Sequence, residues 1–93
     1  TYSANPNDFL SCINLGNLAA KAKKWNEALD WYKKAESIES KAEGVHINLG
    51  NAYIALGMYD DAERAFDRAF AINPENIEAL HNKAVLFALR KQY

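Results

Sequence analysis

Apolar residues return at intervals of three and four along residues 49–74, LGNAYIALGMYDDAERAFDRAFAINP, and the pattern predicts two amphipathic helices. Leu49, Ala52, Tyr53 and Leu56 form the first stripe, and Gly57 follows as a stop signal. Ala62, Ala65, Phe66, Ala69, Phe70 and Ile72 form the second stripe. Pro74 ends it, because proline has no backbone donor and pushes its predecessor out of the helical region. Asp60, with Glu63 three residues later, predicts a capping box at the restart.

The same pattern occurs one unit earlier. Residues 9–42 laid on 43–76, a shift of 34, give eight identities, five of them contiguous as INLGN at 13–17 and 47–51. Ala28 and Ala62, Ala35 and Ala69, and Ile38 and Ile72 supply the rest, with Trp25 over Tyr59 and Tyr32 over Phe66 as aromatic equivalents. A fixed period of this kind marks stacked helical repeats, each burying its apolar face only against its neighbours. Gly16, Gly50 and the four alanines remove volume where helices approach, and the aromatic rings fill the space beside them. Lys23 stands in the place of Gly57, so if the first turn keeps a left-handed conformation there, the lysine holds it under strain that glycine would relieve; the alternative is a turn of another geometry.

These residues resemble the tetratricopeptide repeat family in their period, in LG at 15–16 and 49–50, and in Tyr53, Gly57, Tyr59, Ala62, Phe66, Ala69 and Pro74. The resemblance implies an all-α fold, a right-handed α-solenoid of antiparallel helix pairs in 34-residue units. Residues 1–8 are then expected to be the tail of a preceding repeat, 9–42 and 43–76 two units, and 77–93 the first helix of a further, truncated unit. In that unit Leu80, Ala84 and Phe87 occupy the packing stripe and Tyr93 aligns with Trp25 and Tyr59, but Lys83 replaces Leu15 and Leu49. Val85, Leu86 and Leu89 make this helix apolar nearly all round, which predicts an exposed face through which the chain could self-associate.

Composition narrows the function classes. The formal charge is −1, which gives no reason to expect a nucleic acid or a membrane as the main partner. Its distribution is uneven: residues 9–42 hold six lysines against four acids, and 43–76 six acids against two arginines. The single cysteine, Cys12, reads as a small core residue and mildly favours a reducing, cytoplasmic compartment. His46 aligns with Cys12 and Leu80 and is expected to be packed, and His81 aligns with Ile13 and Ile47; neither the histidines nor Cys12 has metal-ligand spacing. No catalytic constellation, phosphate-binding loop or cofactor motif is present, so the expected module is not an enzyme. Trp31, where the second unit has Ala65, is expected on the outer side of the second helices.

Asparagines carry the remaining signal. Asn14, Asn48 and Asn82 are spaced by 34, as are Asn17 and Asn51. Asparagine is a mediocre helix former, so five of them in helix interiors ask for a reason. They share a stripe with Leu10, Ile13, Ile47 and Ile54, and the resemblance implies that the first helices line the concave side of a superhelix. A row of amides can pair with successive peptide groups of an extended chain while apolar neighbours take its side chains. The expected partner is therefore a protein or peptide, held as an extended segment or a helix in this groove. The alternatives are that the asparagines bond between neighbouring helices, or that the repeats select substrates for a larger enzyme such as a glycosyltransferase. One subclass of the family grips an acidic chaperone C-terminus with Lys, Asn, Asn, Lys and Arg. Asn17 and Asn48 match that set, but Ile13, Glu78 and Asn82 stand at the three basic positions, so no such clamp is expected.

Overall fold

The structure is a computed structural model and describes residues 9–91. The expected repeat tail at 1–8 and the aromatic at Tyr93 lie outside the described residues. Among the described residues there are five helices: α1 (Phe9–Lys21), α2 (Trp25–Ile38), α3 (Glu43–Ala55), α4 (Tyr59–Ile72) and α5 (Ile77–Arg90). They stack as an all-α solenoid with principal extents of 47 × 27 × 17 Å. The first helices of the pairs begin at Phe9, Glu43 and Ile77, each 34 residues after the last.

Both helix pairs turn in the same way. The amide of Lys24 donates to the Ala19 carbonyl at 2.8 Å and that of Met58 to the Tyr53 carbonyl at 2.8 Å, each closing a six-residue loop through a left-handed residue. That residue is Gly57 at φ 77° in the second turn and Lys23 at φ 63° in the first, so of the two geometries open to the first turn it keeps the left-handed one. The helix after the second turn starts at Tyr59, so Asp60 is already helical and cannot cap it; Met58 holds the cap position without a side-chain bond. The capping box is thus not formed. Asp60 and Glu63 instead accept from Arg90 of α5, at 2.9 and 2.6 Å.

The core runs across repeat boundaries. One cluster joins Cys12, Ala28, Leu29, Tyr32, Ala35, Val45, Leu49, Ala52 and Ala65 from four helices; a second joins Ile47, Ala62, Phe66, Ala69, Ala79 and Leu86. A Cβ at Gly16 would lie only 2.5 Å from the edge of the Tyr32 ring and one at Gly50 would clash likewise with the Phe66 ring, so both glycines are required by close helix approach. A fully buried aromatic such as Phe66 contributes roughly 1.5–3 kcal/mol by area alone. Trp31 lies half-buried on the first cluster with the Lys34 ammonium 5.7 Å from its ring centre.

The last helix is only partly covered. Leu86 is fully buried, whereas Leu80, Val85 and Phe87 are 61%, 42% and 42% exposed. Lys83, in the place of a core leucine, turns to Asp67 at 2.5 Å and lies over the Phe70 and Phe87 rings. No helix among the described residues is long and apolar enough to cross a membrane.

Candidate functional site: the face of the first helices

The five asparagines do not behave as one row. Asn17 accepts a hydrogen bond from the Tyr32 hydroxyl at 2.6 Å, which ties it to the second helix of its own pair. Asn82 donates to the Asn51 carbonyl oxygen at 3.1 Å and so bridges α5 to α3. Asn14 is exposed and Asn48 half-buried, and neither makes a side-chain hydrogen bond to the described residues. The two unengaged amides belong to α1 and α3, at the start of the face.

An apolar cavity lies beside Asn48. Phe9, Leu10, Ile13, Ala42, Gly44, Val45 and Asn48 enclose about 240 Å³ between the first turns of α1 and α3. Leu10 is 64% exposed and forms its lip, and Ile13 is half-buried at its side. Ile54 is half-buried against the second core cluster. Ile47 departs from the expected stripe: it is 3% exposed and lies in the core with α5 residues, out of reach of a ligand on this face. The face therefore divides into an open part at α1 and α3, with free amide valences and an apolar cavity, and a part at α3 and α5 closed by the Asn51–Asn82 bond.

The histidines lie elsewhere. His46 is buried as expected; its Nε2–H donates to the Ser40 carbonyl at 2.7 Å, and Nδ1 is 3.6 Å from Glu36, which itself accepts from Arg68 at 2.8 Å. Cys12 is buried and His81 exposed, and no group of three His, Cys, Asp or Glu residues is placed to hold a metal among the described residues. Sequence reasoning missed Glu43, which gathers Asn76 at 2.7 Å and Asn73 at 3.3 Å and so joins the start of α3 to the start of α5. The Asn76 side chain also caps α5 by accepting from the Ala79 amide at 2.8 Å, a cap legible as an asparagine just before an apolar run.

Comparison with known proteins points the same way as this architecture. Models of the tetratricopeptide repeat match residues 45–76, and of the TPR repeat residues 16–57, together more than half of the chain. Sperm-associated antigen 1 of Mus musculus is 31% identical over 70 residues, covering 75% of this chain and 8% of that protein. The protein O-mannosyl-transferase Tmtc3 of Drosophila melanogaster is 34% identical over 62 residues, covering 67% and 7%. The chain thus spans less than a tenth of the length of these relatives. Among solved structures, the first TPR of Spaghetti (RPAP3), bound to the HSP90 peptide SRMEEVD, superposes with a TM-score of 0.85 at 26% identity, covering 98% of this chain and 73% of that one.

Proposed function

Since the chain belongs to the tetratricopeptide repeat family, we propose that it is a non-enzymatic protein-interaction module and that it holds an extended peptide against the face of α1 and α3. The observation that carries this reading is an apolar cavity with Asn48 in its lining, Asn48 and Asn14 both having amides unengaged among the described residues. An amide offers both donors and an acceptor, so it can pair with a peptide group whatever the sequence, and the cavity adds selectivity for side chains. The similarity to a TPR that binds an HSP90 peptide supports a peptide partner. It does not extend to an acidic terminus, because Ile13, Glu78 and Asn82 offer no cation there and an exposed Glu78 repels carboxylates.

A second reading is favoured by the similarity to Tmtc3: the repeats select substrates for a catalytic domain encoded elsewhere in a longer protein. Selection from a displayed peptide library tests the groove in either case. Wild type should enrich extended peptides, and Asn14→Ala with Asn48→Ala should lose them at least tenfold while remaining helical by circular dichroism. Equal enrichment by both would show that the peptide does not use these two amides and move attention to the exposed face of α5 around Leu80 and Phe87, where self-association would be read by sedimentation.

A further inference from the structure

Gly44 is the middle member of a register whose others are Leu10 and Glu78, and the fold does not need it to be glycine. It lies in the first turn of α3, its φ is not in the left-handed region, and a Cβ built on it would meet nothing within 4 Å. Gly16 and Gly50 admit an aromatic ring, and Gly57 supplies a left-handed turn; Gly44 does neither. Glycine is the poorest helix former after proline, so a sequence that keeps it without a local reason sets local preference against the fold, the kind of conflict found at functional positions. What Gly44 does is leave open one wall of the cavity formed with Phe9, Leu10, Ile13 and Val45.

From this we infer that the cavity is a side-chain subsite of the proposed groove, and that its occupant is a single uncharged aliphatic side chain, leucine, isoleucine, valine or methionine, of an extended partner peptide. The inference rests on the groove reading given above. At about 240 Å³ the cavity is smaller than the roughly 300–1,000 Å³ of sites that enclose whole small molecules, and it suits one side chain. Among the described residues its walls carry no charge, and Asn48 is the one polar side chain in its lining. A carboxylate or ammonium seated there would lose its hydration without gaining a counter-charge, so the occupant is uncharged. Asn48 at the rim, with Asn14 across on α1, then pairs with the peptide groups flanking that side chain. The bare backbone of Gly44 lets the peptide main chain approach α3 closely.

The test is a phage-displayed peptide selection on the 93-residue chain, followed by affinity measurement of the enriched peptides on Gly44→Leu, Gly44→Ala and Leu10→Ser. Gly44→Leu fills the cavity from its own helix, and both Gly44 variants should melt no lower than wild type because each replaces glycine in a helix with a better former. Enriched peptides should share one aliphatic position and bind Gly44→Leu at least tenfold more weakly than wild type. Leu10→Ser, a change at an exposed lip, should weaken them several-fold without lowering the melting temperature. Enrichment on wild type with binding to Gly44→Leu and Leu10→Ser unchanged within twofold would overturn the subsite and leave the groove intact. So would enriched peptides whose shared position is charged. No enrichment on wild type would overturn the groove reading, and the subsite with it.

Discussion

The first helix pair has a tyrosine hydroxyl where the second has a bare ring, and the asparagines beside them part company as a result. Tyr32 reaches across to Asn17 at 2.6 Å and fixes that amide within its own pair. Phe66 has nothing to offer Asn51, which instead accepts from Asn82 of the next first helix at 3.1 Å. One atom decides whether the amide holds a pair together or holds two pairs to each other. A periodic residue therefore has no fixed role in a solenoid; its role is set by the neighbour that the local unit supplies.

What the two pairs share most strictly is the close approach at Gly16 and Gly50, and this gives the largest expected effect. Gly→Ala inside an exposed helix stabilises by about 1 kcal/mol. Here each Cβ would clash with an aromatic ring, so Gly16→Ala and Gly50→Ala should both destabilise, by about 1–3 kcal/mol in urea unfolding. Gly16→Ala should be the worse of the two, since displacing Tyr32 also breaks its bond to Asn17. Stabilisation by either substitution would show that the rings yield and that the approach is not tight.

The turns differ by strain alone. Lys23 at φ 63° and Gly57 at φ 77° do the same work in turns closed by equivalent hydrogen bonds. A non-glycine residue in this region bears about 1–2 kcal/mol. Lys23→Gly should relieve part of it, raising stability by up to about 1 kcal/mol because glycine also adds entropy to the unfolded chain. Gly57→Lys should lose a comparable amount. Opposite signs in matched thermal melts are the expected result, and a loss from both would mean that Lys23 makes a compensating contact that glycine cannot.

Much of the fold was legible because period and packing coincide. The 34-residue repeat placed the helices, the aligned glycines announced the close approaches, and the alignment of Lys23 with Gly57 marked the position whose conformation decides the strain of the first turn. What could not be read was what depends on a residue with no counterpart in the period. Arg90 aligns with Leu56 and Ala22, so nothing in the repeat pattern foretold that it would draw Asp60 and Glu63 away from a capping role. Ile47 is buried where Ile13 is half-open: it shares a cluster with Leu86 of α5, whereas α3 carries the smaller Ala52 at that place in the period. Of the candidate site, the residue types were legible and the division of the amide row was not, because it turns on Tyr32 against Phe66.

That division predicts the effect most specific to the first pair. Tyr32→Phe should cost about 0.5–1.5 kcal/mol, and in a double-mutant cycle with Asn17→Ala most of that should appear as coupling. A pH dependence belongs to the same group. Burial raises the Tyr32 phenol above its ordinary value of 10.0, so the folded state retains the proton where the unfolded chain releases it. A raised folded value means that the contribution is whole below pH 10 and is lost as pH rises from there through the raised value. Tyr32→Phe should flatten that alkaline limb relative to wild type, whereas Phe66→Leu, which carries no ionisable group on either side of the change, should leave its shape untouched while lowering the whole curve. If Tyr32→Phe left the limb as steep as wild type, the hydroxyl would be titrating as freely in the folded protein as out of it, and burial between the helices of the first pair would not be what holds its proton.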